Sequence, residues 1–118
     1  MRTNSNHGWK YIFNDEAKEN KQLLYSEANK PLQGTSGKYL FFCSEKQPLE
    51  ELCEKILLQF ELYSGKISNN PKGDYVLCIY DYKERFTSNM LRFGSESIKY
   101  RWWKSNSNTI NGKYSKPS

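Results

Sequence analysis

Six consecutive residues, Lys99-Tyr100-Arg101-Trp102-Trp103-Lys104, interleave cations with aromatic rings. On a β-strand, alternate residues share a face. Regular alternation places Lys99, Arg101 and Trp103 on one side and Tyr100, Trp102 and Lys104 on the other. A ring beside a cation suits a nucleotide. The base stacks on the ring, an interaction worth about 1–3 kcal/mol per base, and the phosphate pairs with lysine or takes two hydrogen bonds from arginine. The plainer alternative is a strand with one core face and one face of snorkelling cations. The next segment, Ser105 to Lys113, is rich in hydroxyls and amides and includes Thr109 and Gly112. It can offer donors to a phosphate or to base edges, or serve as an ordinary polar turn. Lys38, Lys66 and Lys113 add positive charge to the same place if their strands converge, and Tyr114 follows closely.

Catalytic and metal-binding constellations are sparse. His7 is the only histidine and lies near the polar N-terminus, a poor position for a general base. Asp74 and Asp81 flank a strand-like run, as paired carboxylates or as turn caps. There is no G-x-S-x-G, phosphate-binding loop or G-x-G-x-x-G. The cysteines are Cys43, Cys53 and Cys78, an odd number without a C-x-x-C pair, and with one histidine they make no zinc set at usual spacing. No metal or cofactor is therefore expected, and buried reduced thiols are.

The 118 residues fit one domain. Eighteen Lys and Arg against thirteen Asp and Glu give a net charge of +5, which biases the chain toward anionic partners. Mean hydropathy is −0.90, yet aromatics make up 15% of residues, which argues against disorder. No run has the length of a membrane span, and the first residues lack the apolar stretch of a secretory signal. The expectation is a cytoplasmic, non-membrane protein.

The elements that must position these residues follow from periodicity. Residues 1–8 read as a flexible N-terminus, 9–115 as one domain and 116–118 as a tail. Trp9 to Phe13 suggests a short strand, and Asn14 or Asp15 a cap for a weakly periodic helix to about Glu27. Asn29 to Gly37 reads as a loop. Lys38 to Cys43 is an almost wholly apolar strand with both faces covered. Ser44 with Gln47 matches a capping box. Leu49, Leu52, Cys53, Ile56, Leu57 and Phe60 then recur at helical spacing, ending before Gly65. Lys66–Ser68 and Tyr75–Tyr80 form a hairpin across an Asn-Pro-Gly-rich turn. A short helix between Arg85 and Phe93 stops at Gly94, and Ile98 to Trp103 is a final strand. This order favours an α+β fold, with two or three helices on one face of a mostly antiparallel sheet. A ferredoxin-like arrangement is the runner-up.

Three segments together resemble a known family: G-K-Y-L-F-F from Gly37, K-I-S-x-x-x-x-G-x-Y-V-L-C-I-Y from Lys66, and Y-R-W-W-K-S-N-x-x-T-x-x-G-K-Y from Tyr100. They are similar to segments of the family of the basophilic-leukaemia-expressed protein. The resemblance spans about Gly37 to Tyr114. It implies a fold like that of the cap-binding translation initiation factor, a curved antiparallel sheet backed by helices. Some bacterial members of that family are labelled as phosphothreonine lyase domain proteins. In the family's last motif a Lys-Pro-Asp core precedes the Thr and the Gly-x-Tyr. Lys104, Thr109, Gly112 and Tyr114 fit it, but Ser105 and Asn106 stand for Pro and Asp, which removes a carboxylate.

Three functions are compatible with these residues. The first is a non-enzymatic binding module for a nucleotide or single-stranded RNA. The second is an enzyme of lyase or phosphodiesterase type acting on a phosphorylated ligand, with Lys66, Arg101 and Lys104 around the phosphate. The third is a small protein-interaction or inhibitor domain with Trp102 and Trp103 as anchors.

Overall fold

A computed structural model describes residues 1–17, 37–69 and 72–105. The helix expected to run to Glu27 lies outside the described residues beyond Ala17, as do most of the 29–37 loop and everything after Ser105.

The fold is α+β: among the described residues, an open six-stranded sheet with two helices. The strands are β1 (Arg2–Asn6), β2 (Trp9–Phe13), β3 (Gly37–Cys43), β4 (Ser64–Ser68), β5 (Tyr75–Asp81) and β6 (Ile98–Ser105), and the helices are α1 (Lys46–Gln59) and α2 (Thr87–Leu91). The spatial order is β1-β2-β4-β5-β3-β6, and every neighbouring pair is antiparallel. Six strands in this order replace the ferredoxin-like alternative.

The N-terminus departs from the expected loose segment. Arg2–Asn6 is fully exposed and polar, yet it pairs with β2 along all five residues. The turn explains it. His7 and Gly8 both have positive φ, 51° and 81°, as a two-residue type I′ hairpin loop requires. The hairpin between β4 and β5 forms as the sequence implied.

Helix α1 buries Leu49, Leu52, Cys53, Ile56 and Leu57, the stripe expected of a helix against a core. It starts one residue later than the capping box required, with Glu45 at its N-cap and no side-chain cap bond. Pro48 then stands third in the helix and has no N–H for a cap to accept, while Gln47 turns instead to Glu51. The helix stops well before Gly65, through Glu61 at φ 53° with Phe60 and Leu62 N–H bonded to the Ile56 and Leu57 carbonyls. Helix α2 is shorter than Arg85–Phe93: Phe86 is its N-cap, with a non-helical φ of −121°, and the Arg85 and Phe86 backbone N–H groups are both given to the Tyr39 hydroxyl.

The core joins the α1 stripe and Met90 of α2 to Ile12, Tyr39, Phe41, Cys43, Ile67, Leu77 and Ile79. All three thiols are buried and free. Among the described residues the helices thus occupy one face of the sheet, and the alternate strand positions form a second face, helix-free as far as the described residues go.

Candidate functional site

The register defines the helix-free face row by row. Lys66 pairs with Tyr11 and Cys78, Cys78 with Leu40, and Leu40 with Trp102. One row therefore runs Tyr11, Lys66, Cys78, Leu40, Trp102 across β2, β4, β5, β3 and β6. In the adjacent row Lys38 pairs with Tyr80 on one side and Lys104 on the other. On the opposite flank Trp9 pairs with Ser68, and Phe42 with Val76 and Lys99. None of these paired positions on the face carries an acid.

Lys38, Lys66 and Lys104 converge on β5. The Lys38 and Lys66 ammonium groups stand 5.8 and 5.9 Å from the Tyr80 ring centroid, and Lys66 is also 4.1 Å from that of Trp9, within cation–π range. All three lysines act electrostatically on the Cys78 thiol between them. The floor is well covered, with Cys78 at 4% exposure and Lys104 at 5%. Burial pushes Lys38 below the ordinary lysine range, and repulsion from Lys66 and Lys104 adds to that shift. Lys104 is lowered by burial as well. Burial raises Cys78 despite the three lysines, and it carries Tyr80 well above the usual tyrosine range. The thiol is accordingly protonated, and the available charge is cationic. Among the described residues neither Lys38 nor Lys66 has an ion-pair partner; the pairs formed are Arg2–Asp15, Lys10–Glu50 and Arg85–Asp81.

The late aromatic run is distributed differently from simple alternation. The β3–β6 register shifts between Leu40 and Phe41, with Trp102 opposite Leu40 but Tyr100 opposite Phe41. Arg101 is the extra residue of a β-bulge, which leaves one residue unpaired and reverses the facing beyond it. Tyr100 and Trp103 therefore both pack on the core side, Tyr100 5.1 Å from Phe41 and Trp103 4.8 Å from Tyr39 between ring centroids. Trp102 and Lys104 share the helix-free face, where Trp102 lies 6.0 Å from Phe42. Arg101 is exposed and stands 5.7 Å from the Phe42 ring. The Trp102 Nε1–H is buried without a hydrogen-bond partner.

Of the residues singled out from sequence, Lys38, Lys66 and Lys104 come together, with Trp102 two strands from Cys78 in the same row. Arg101 lies toward the β6 edge, and Tyr100 and Trp103 belong to the core. Thr109, Lys113 and Tyr114 lie outside the described residues. Tyr80, Cys78 and Trp9 were missed as neighbours of the lysines. Alternation within Tyr75–Tyr80 puts Cys78 and Tyr80 on one face, but that β5 lies between β4 and β3 is not written in any local pattern. Asp81 is no partner for Asp74: it is fully buried on the core side, bonded to Tyr39 and Arg85. A cleft of about 290 Å³ between Met1, Phe13, Glu16 and Leu58 lies away from the lysines, and the Arg2–Asp15 pair lines it.

No family model, curated protein or solved structure matches the chain. Among the described residues no helix is long and apolar enough to cross a membrane.

Proposed function

We propose that the chain is a non-enzymatic binding module that holds an anionic ligand, a nucleotide or single-stranded RNA, on the helix-free face of its sheet. The observation that supports this most directly is the meeting of Lys38, Lys66 and Lys104 around Tyr80 and Cys78, on a face whose paired strand positions carry no acid. Gathering ammonium groups costs repulsion, which a bound anion offsets. Trp9, Tyr11, Phe42 and Trp102 on the same face supply rings for a base. Titration with nucleotides and short RNAs at low salt should quench tryptophan fluorescence, and affinity should fall as salt rises. Unchanged fluorescence across both panels at low salt sinks the proposal.

A second function has one observation in its favour. Burial and the neighbouring lysines shift Lys38 toward the neutral form that a general base needs, the direction that suits an enzyme acting on a phosphorylated ligand. That reading requires turnover. Mass spectrometry of phosphopeptides and of linear and cyclic nucleotides after incubation with the protein should then show product, and unchanged substrates argue for binding alone. The protein-anchor reading gains less, because Trp103 is committed to Tyr39 and the core cluster.

A further inference from the structure

Lys38 and Lys104 sit directly opposite each other on adjacent antiparallel strands. Like charges in that relation destabilise a sheet. Lys66 adds a third cation nearby: its ammonium group stands 5.9 Å from the centroid of the Tyr80 ring that Lys38 approaches at 5.8 Å. The groups that face this centre from the packed strands are Lys66 of β4, Cys78 and Tyr80 of β5 and Lys104 of β6, and both β5 groups are held neutral. The positive charge therefore gathers around Tyr80 and Cys78.

Among the described residues it does not continue as a track. Along β4 the neighbours of Lys66 on this face are Ser64 and Ser68, and along β3 the positions beyond Lys38 are Leu40 and Phe42. Among the described residues of β6 the next cations, Lys99 and Arg101, lie on the edge strand by Phe42. A polynucleotide carries one negative charge per phosphate, evenly spaced, and calls for cations spread along a groove. A phosphomonoester instead carries about −1.5 to −2 at neutral pH and three acceptor oxygens at a single atom. That is the better match to the Lys38 and Lys66 ammonium groups gathered about one ring, with Lys104 opposite Lys38, and Trp9 beside Lys66 offers a ring for the attached base.

Building on the binding reading above, we infer that the lysine centre recognises the terminal phosphate of a nucleoside 5′-phosphate and not the phosphodiester chain of RNA.

Calorimetric titration distinguishes the two. The probes are the four common nucleosides, their 5′-monophosphates, their 3′,5′-cyclic monophosphates, inorganic phosphate, and hexanucleotides with either a 5′-hydroxyl or a 5′-phosphate. At least one 5′-monophosphate should bind about tenfold or more tightly than its nucleoside and its cyclic diester, as expected of charge-assisted hydrogen bonds to the extra oxygens. The 5′-phosphorylated hexanucleotide should exceed its hydroxyl counterpart similarly. Lys38→Met and Lys66→Met keep the apolar stem. Each, with its fold verified by circular dichroism, should bring the monophosphate down toward the nucleoside. Equal binding of cyclic diester and monophosphate, or of the two hexanucleotides, overturns the terminal-phosphate inference while leaving the binding module standing. Inorganic phosphate binding as tightly as every monophosphate overturns the nucleoside part. Absence of binding by all probes overturns both the inference and the proposed function.

Discussion

Tyr39 does more than fill the core. Its hydroxyl donates to Asp81 Oδ2 at 2.9 Å and accepts the backbone N–H groups of Arg85 and Phe86 at 2.9 and 3.0 Å. Asp81 also receives the Arg85 guanidinium through both oxygens and the Tyr82 N–H. One oxygen atom thereby ties β3 to the end of β5 and to the start of α2. Tyr39→Phe keeps the ring but leaves two backbone donors and a buried carboxylate oxygen short of a partner. We expect it to cost about 2 kcal/mol, read from urea denaturation, with the far-ultraviolet spectrum unchanged. That network was not legible in the sequence, where Asp81 looked like a turn cap, because its partner stands on a strand far away in the chain. Lys38, Lys66 and Lys104 were legible one by one, as cations on strand-forming runs. Their common neighbours, Cys78 and Tyr80, were not.

The β3–β6 pair shows how one element can mislead. A strict period of two describes Lys99 to Lys104 only if nothing interrupts the ladder, and the bulge at Arg101 does. Nothing in the residue types of a Lys-Tyr-Arg-Trp run announces it; the Phe41–Tyr100 and Tyr39–Trp103 ring contacts that reward it are non-local. The apolar runs of β3, α1 and β5 were legible because burial writes itself directly into periodicity. The polar β1 was not, because backbone pairing across a type I′ turn holds it. At the far end of the β3–β6 pair, Gly37 meets β6 closely: a Cβ there would lie 2.5 Å from the Lys104 carbonyl oxygen and 2.7 Å from Trp103 Cζ2. Backbone cannot move aside as a flexible side chain does. Gly37→Ala should therefore push the end of β6 outward at a cost of about 1–3 kcal/mol. Faster amide hydrogen exchange at Trp103 to Ser105 would report it, and exchange like that of the wild type would contradict the contact.

The molecule as a whole keeps several acidic groups neutral by burial. Cys53, Cys78, Tyr39, Tyr80 and Tyr100 all lie above their ordinary values of 9.0 for thiols and 10.0 for phenols. As pH rises through 9 to 10 the unfolded chain loses these protons while the folded chain retains them, so stability must fall. Lys38 and Lys104 act in the opposite sense. Their lowered values make the folded state release protons before the unfolded chain does, which relieves a cost as pH approaches 10.5. With five groups against two, the net is a loss. Urea midpoints under reducing conditions should be level near neutral pH and decline steadily above about pH 9. A flat profile to pH 10.5 would mean that these side chains are reached by water.

The lysine trio also has a consequence for testing the proposed binding. Its members come from β4, β3 and β6, distant in sequence, and nothing brings them together in a denatured chain. An occupant must then favour the native form alone, and its concentration is converted into heat resistance, about 2.7 kcal/mol at a hundredfold excess over the dissociation constant. A thermal-shift screen of phosphorylated metabolites therefore needs no assay and no reporter group: a compound that raises the melting temperature of the native chain, but not that of Lys66→Met, would be the proposed ligand.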